Sequence, residues 1–303
     1  MIVFAAAITD VEMFERAAEP GVRRLMENEP DIELIVFASV GSIFRNYNLI
    51  LKQVRERDDI DDVEALVLIH QDAEIIDPTF TTKLREALAD PEVAIVGCAG
   101  AVDVRSIAWW EGSITWASFT HRYHEFGGGE IPAFAWMPEH IPPFGRTGEV
   151  DSIDGFVMGL SPWVIENLRF DESLGKQHGY DLDICMQART AGKKVVTADM
   201  RVVHHHSLRL VEDTEGWIQA HMELAEKWDD QLPHNGTRVD DWKQRARRAE
   251  AEASLARLLG GVEELVRVAQ YKELEELRTS KSWRMMAPAR KLAGRLRRRR
   301  AVP

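Results

Sequence analysis

Asp72 and Glu74 come directly after Leu66-Val67-Leu68-Ile69-His70-Gln71, whose apolar run is long enough for one buried strand. In an open parallel sheet, ligands collect just past the carboxyl ends of strands. Two carboxylates one residue apart at that place suit a divalent cation carrying a phosphate. Hard cations such as Mg²⁺ or Mn²⁺ choose carboxylate oxygens and keep waters and substrate phosphates as further ligands. The competing reading is that both acids simply cap the helix that starts near Pro78. A second donor set stands much later, at His204-His205-His206. Side chains alternate faces along a strand, so His204 and His206 point together and His205 points away. All three cannot ligate one ion without a bend. One of them is expected to join Asp72 and Glu74, and the other reading is a polar strand end. Imidazole is a normal ligand for Mn²⁺ and a rarer one for Mg²⁺.

A different chemistry is written between Gly100 and Glu149. Nine aromatic residues, from Trp109 and Trp110 to Phe144, are interleaved there with Gly127-Gly128-Gly129 and several prolines. Long loops inside a compact domain are usually functional or disordered, and disordered ones are poor in aromatics. Aromatic faces beside polar groups suit sugar rings, whose C–H faces pack on them. A lid that buries its own aromatics is the plainer alternative, and a lid can also line a site.

The elements that must position these residues follow from periodicity. Ile2–Ile8, Ile32–Phe37, the run before Asp72, and Val93–Gly97 read as strands. Helical patterns fill the gaps, at Val11–Met26, Ile43–Val54 and a helix closing at Leu88. Strands alternating with helices imply parallel strands, right-handed crossovers and an α/β doubly wound core with helices on both faces. Order returns at Val150–Leu160, with Ser161-Pro162 as a helix start. Asp181 then stands where a helix N-cap belongs and Gly192 where that helix ends. Val195–Thr197 and Arg201–His206 read as short strands. Beyond Glu215 the chain is helical, breaks at Asp229–Arg238, and resumes as a long polar helix. Gly260-Gly261 predicts two helices or a kink there.

Composition narrows the classes. The 303 residues carry a net charge of −12, with 45% hydrophobic and 29% charged residues, ordinary for a globular protein. Nine of the 38 Lys and Arg lie from Lys281 onward with no acid, leaving 29 against 50 acids, or −21, for the body. An acidic body argues against nucleic acid as a partner. The basic tail, with Trp283, Met285 and Met286, fits an anionic membrane surface or a solvated tail. No Gly-x-Gly-x-x-Gly follows the first strand and no Gly-Lys-Ser/Thr loop occurs, so hydride-transfer and P-loop readings lose their main support. Cys98 and Cys185 match no metal or redox spacing, so a reduced, cytoplasmic setting is expected.

Taken in order, several motifs resemble one family. They are Ser42-Ile43-Phe44-Arg45-Asn46-Tyr47-Asn48, His70-Gln71-Asp72-Ala73-Glu74, Asp154-Gly155-Phe156, Tyr180-Asp181-Leu182-Asp183 leading to Gly192, His205-His206-Ser207, and Ser282-Trp283-Arg284. The chain resembles the GT-A glycosyltransferases of family 2, in particular the bacterial glycosyltransferase-like branch that builds surface polysaccharides. The resemblance implies a GT-A catalytic domain over residues 1–210, a helical extension over 211–280 and a basic amphipathic tail over 281–303. It implies inverting, metal-dependent transfer of a sugar from a nucleoside-diphosphate sugar to a hydroxyl of a glycan or lipid-linked acceptor. Asp72-Ala73-Glu74 matches the family's Asp-x-Asp motif, with Glu74 in place of the second Asp, and holds Mn²⁺ or Mg²⁺. His205 matches the late histidine ligand, with His206 or His204 as alternates. Asp181 matches the general base, with Asp183 as the fallback, and Tyr180 stands where the family has Glu. Ala7, Thr9, Asp10, Ser39 and Asn48 would cradle the nucleoside. Asp154 and Gly155, with Trp109 and Trp110, would face the acceptor or donor sugar. The expected setting is cytoplasmic and peripheral to the inner face of the plasma membrane, with the C-terminal helices as a route to homo-oligomers. A sugar nucleotidyltransferase is the nearest rival, and a catalytically silent membrane-associated assembly factor is a rival from another class.

Overall fold

The computed structural model describes residues 1–109, the strands at 114–117, 119–123 and 130–132, and residues 148–206, 213–228, 231 and 243–286. Trp110, most of the aromatic stretch, Ser207 and the basic residues from Arg290 onward lie outside the described residues, as does the side chain of His206. The chain forms two compact units, Met1–Ser254 and Leu255–Pro303.

In chain order the first unit carries β1 (Ile2–Ile8), α1 (Val11–Arg16), α2 (Ala18–Asn28), β2 (Ile32–Ala38), α3 (Ile43–Arg55), β3 (Ala65–Ile69) and β4 (Ala73–Ile75). Next come α4 (Phe80–Leu88), β5 (Val93–Gly97), β6 (Ala99–Val102), β7 (Ile114–Ala117), β8 (Phe119–Tyr123) and β9 (Glu130–Pro132). Then follow β10 (Gly148–Val150), β11 (Ser152–Ile153), β12 (Val157–Leu160), α5 (Pro162–Asn167) and α6 (Tyr180–Thr190). The series ends with β13 (Lys194–Thr197), β14 (Val202–His206), α7 (Thr214–Lys227), α8 (Lys243–Thr279) and α9 (Lys281–Met285). The first unit ends within α8.

Seven strands make the central sheet in the order β10-β13-β5-β12-β3-β1-β2. Pairings β1–β2, β1–β3 and β5–β13 are parallel, whereas β12 runs antiparallel between β3 and β5. Five strands therefore share one direction, and the doubly wound α/β architecture expected from the alternation is present. The order reverses at β1, so right-handed crossovers place α2 and α3 on opposite faces. β1, β3, β5 and β12 sit inside the sheet with helices above and below, which is why they read as unbroken apolar runs. Leu66, Val67, Leu68 and Ile69 are fully buried, each contributing roughly 1.5–3 kcal/mol relative to exposure. The edge strand β2 buries only Ile32 and Ile35 and leaves its other positions partly or fully exposed.

The chain leaves the large sheet at His70–Asp72. It continues as β4 in a second sheet of order β4-β14-β8-β9, where β4 lies antiparallel to β14 with Ala73 opposite His204. Local chemistry sets several ends. Asp10 caps α1 by accepting from Met13 N–H at 3.0 Å, and Ser42 caps α3 by accepting from Arg45 N–H at 3.2 Å. The single helical pattern read over Val11–Met26 breaks at Ala17 into α1 and α2. Thr79 precedes α4, and Asp77 accepts from its N–H at 2.9 Å. Neither Asp72 nor Glu74 caps that helix. α8 runs as one helix of 37 residues through Gly260-Gly261, where two helices or a kink were expected. Two glycines cost about 1 kcal/mol each against alanine, which strong helix formers on both sides offset. No helix among the described residues is long and apolar enough to cross a membrane.

Candidate active site

β1 and β3 end side by side where the strand order reverses, the place in an open sheet that leaves a crevice. A cavity of about 430 Å³ lies there. Ala7 and Thr9 reach it from the end of β1, Ser39 from the end of β2, and Asn46 and Tyr47 from α3. His70, Gln71 and Asp72 enter from the end of β3, His204 from β14, Asp154 from the β11–β12 turn, and Tyr180 and Asp181 from the start of α6. Trp109 closes one side, with Lys176, Gln177 and His178 at the lip.

One wall is a donor cluster. His70, Asp72 and His204 each present a ligand atom, all within 4.8 Å of one another. His204 Nε2 is 3.4 Å and His70 Nδ1 3.9 Å from Asp72 Oδ1. Around an octahedral ion with bonds of about 2.1 Å, neighbouring donors stand about 3 Å apart and opposite ones about 4.2 Å. The spacing and the mixed nitrogen and oxygen donors fit a divalent ion. The Phe156 ring stacks on His204 at 4.4 Å and fixes its plane. Burial pushes the His70 imidazole down to about 4, against the pull of Asp72, so the ring stays neutral, the form that ligates.

Beside this cluster the cavity is acidic, with Asp154 close enough to feel the charge of His204. Asp181 lies in the first turn of α6, where the helix N-terminus favours a carboxylate. It accepts from Gly155 N–H at 3.1 Å and from Leu182 N–H at 2.9 Å. Burial nonetheless wins, and with the negative Asp154 nearby it pushes Asp181 up to about 7. Asp154 is also pushed up by burial, against the pull of His204, Phe156 N–H and Trp109. The residue preceding α6 is Gly179 at φ +82°, a left-handed conformation that glycine adopts without strain. A Cβ there would also meet Leu224 and Ile107. Asp181 is thus not the helix cap the sequence suggested. It sits two residues further in, aimed at the cavity.

The structure sorts the sequence candidates. Ala7, Thr9, Ser39, Asp72, Trp109, Asp154 and Asp181 line one cavity, and Gly155 backs it through its bond to Asp181. Asp10 faces outward as a helix cap, although its N–H and that of Thr9 both donate to Gln71 Oε1, at 2.9 and 2.8 Å. Asn48 clamps Phe170 instead, donating to its carbonyl at 2.8 Å and accepting from its N–H at 2.9 Å. Its neighbour Asn46 takes the lining position. Asp183 is fully buried beneath the helix, receiving bonds from Lys227 Nζ at 2.7 Å, Trp228 Nε1 at 3.0 Å and Gln187 Nε2 at 2.7 Å. Glu74 and His205 pair with each other at 2.8 Å and are not among the lining residues. Strand alternation explains this. With Ala73 opposite His204, His204 faces Asp72, and the next residue turns to the other face of β14, where Glu74 waits. His70 and Gln71 carried no assigned role in the sequence reading. The signal was their place at a strand end, immediately before Asp72.

The curated streptomycin biosynthesis protein StrF of Streptomyces griseus is 26% identical over 214 residues, covering 68% of this chain and 67% of the relative. Among solved structures, a mannosyltransferase from Pyrobaculum calidifontis in complex with GDP-Man and Mn²⁺ is similar at TM-score 0.43 and 14% identity, over 95% of this chain and 82% of that one. GalNAc-T7 with UDP, GalNAc and Mn²⁺ is similar at TM-score 0.48 and 9% identity, over 83% of this chain and 54% of that one. The model of the glycosyltransferase-like family matches residues 4–224, a span that takes in every residue of the cavity. On that match the chain belongs to the glycosyltransferase-like family.

Proposed function

We propose that this chain moves a sugar from a nucleoside-diphosphate sugar to a hydroxyl of a glycan or lipid-linked acceptor, with inversion at the anomeric carbon. Family membership sets the class of reaction as glycosyl transfer. The observation that carries the rest is one cavity that brings together a His–Asp–His cluster and two proton-hungry carboxyls. Asp72 and His204 would hold a divalent ion, with Ser39, Thr9 and Asn46 beside the nucleoside. When bound, such an ion offsets the negative charge that grows on the departing diphosphate. Asp181 takes the acceptor's proton as the acceptor oxygen bonds to the anomeric carbon and the bond to the diphosphate breaks. Its raised affinity for a proton near neutral pH suits that task. Asp154 orients sugar hydroxyls, and Trp109 packs on a ring face. The basic segment from Lys281 onward would hold the protein against anionic lipid, where each Lys or Arg contributes about 1 kcal/mol.

Thermal shift with a panel of nucleotide sugars, with and without Mn²⁺, followed by assay of nucleoside diphosphate release, tests the reading. The expected result is one donor whose stabilisation and turnover both require the ion. A ligand at about 100 times its Kd should stabilise by roughly 2.7 kcal/mol. Binding without diphosphate release under any acceptor would favour the silent assembly factor. Pyrophosphate formed from a nucleoside triphosphate would favour the nucleotidyltransferase.

A further inference from the structure

His70 does something the sequence motifs do not assign. Its backbone is pinned, its N–H donating to the Phe156 carbonyl at 2.9 Å, and its ring has two distinct sides. Nε2 lies 2.7 Å from the Tyr180 hydroxyl, while Nδ1 faces Asp72 in the donor cluster. We propose that His70 is a third ligand of the divalent ion, binding through Nδ1, and that Tyr180 is the positioning residue that holds its ring. The inference rests on the metal-dependent reading above and adds to it.

The reasoning is geometric. An imidazole that donates its Nε2 proton to a hydroxyl must present a lone pair at Nδ1. Ligating histidines almost always give their other N–H to such a partner, which fixes both tautomer and plane. Tyr180 can serve because it cannot swing. Phe44 and Tyr47 meet its ring edge-on at 6.1 and 5.5 Å, and Phe170 packs at 6.4 Å. From the remaining side Gly155 lies so close that an added Cβ would collide with the ring. The residue beside the proposed base thus serves the ion, so one helix start, Tyr180-Asp181, supports both the donor cluster and the base. Glu74, the acid the motif would have named, is paired with His205 instead.

The test is Mn²⁺ binding to the full chain, read by electron paramagnetic resonance with and without a nucleoside diphosphate. Spin-echo modulation counts the coordinated imidazoles. Wild type should show two, and His70→Ala one. Tyr180→Phe keeps the ring packing and removes only the hydroxyl. It should weaken Mn²⁺ by about 10- to 100-fold, while the metal-free protein stays folded, its melting temperature lowered only by the loss of one hydrogen bond. Glu74→Gln is the contrast. An affinity loss there, with His70→Ala and Tyr180→Phe binding as wild type, overturns the proposal, as does a single imidazole in wild type. Should Tyr180→Phe fail to fold, the imidazole count in His70→Ala decides alone. Wild type that binds no Mn²⁺ under either condition overturns the metal-dependent reading itself.

Discussion

Asp154 shares the cavity with Asp181, and its charge helps burial to hold the Asp181 proton, which has consequences in two kinds of experiment. If Asp181 removes the acceptor's proton, kcat/KM rises with pH through about 7, the value to which burial and Asp154 push it. Asp154→Asn removes the like charge, so that profile should move to lower pH while burial keeps it above an ordinary carboxylate. Asp181→Asn should lower kcat by about 10²- to 10⁴-fold and leave Mn²⁺ and nucleotide binding in place. Stability moves the other way. The folded state holds the Asp181 proton up to about pH 7, whereas the unfolded chain releases it near 3.8. From the lower value to the higher, the fold binds more protons than the unfolded chain, and this group costs stability as pH rises. Denaturant midpoints of the metal-free protein should therefore show Asp181→Asn gaining on wild type between pH 4 and 8. A constant difference would mean the carboxyl is solvated.

Single elements here perform two tasks at once. α6 sends Asp181 to the cavity and, half a turn on, sends Asp183 into the core beneath Trp228 and Lys227. Asp183→Ala strands those donors, and a buried donor left without its partner costs about 1–3 kcal/mol. Its signature should be a lowered denaturant midpoint with kcat per folded molecule preserved, the reverse of Asp181→Asn. The sequence could not separate these two acids, because both stand in one polar helical turn with no periodic cue to which is buried. It did locate β1, β3 and β5 well, since strands covered on both faces must be continuously apolar, and it located the edge strand β2 from its apolar run. It missed the antiparallel entry of β12 and the separate sheet of β4 and β14, because pairing direction leaves no mark on hydrophobic pattern. Without the β4–β14 register nothing said which histidine meets Asp72. Strand alternation alone had already divided His204 from His205.

For the whole molecule, charge is divided as sharply as chemistry is concentrated. The body carries −21 and the segment from Lys281 onward carries nine basic residues and no acid. Trp283, Met285 and Met286 are exposed at the start of that segment, Met285 by 80%. Removing Lys281–Pro303 should abolish co-sedimentation with phosphatidylserine vesicles and leave turnover on a soluble acceptor intact. Equal sedimentation of the truncated chain would remove the membrane from the proposal. β12 carries a different implication, for how the chain is born. It fills the gap between β3 and β5, pairing Leu160 with Leu66 and Ile95, and the turn ahead of it supplies the carbonyl that His70 N–H needs. On a ribosome adding about 5–20 residues per second, the β3 edge must wait about 5–18 seconds for it and the β5 edge about 3–13 seconds. Through that interval the nascent protein exposes a sticky, half-built sheet, the state in which chaperone capture or aggregation would set the yield.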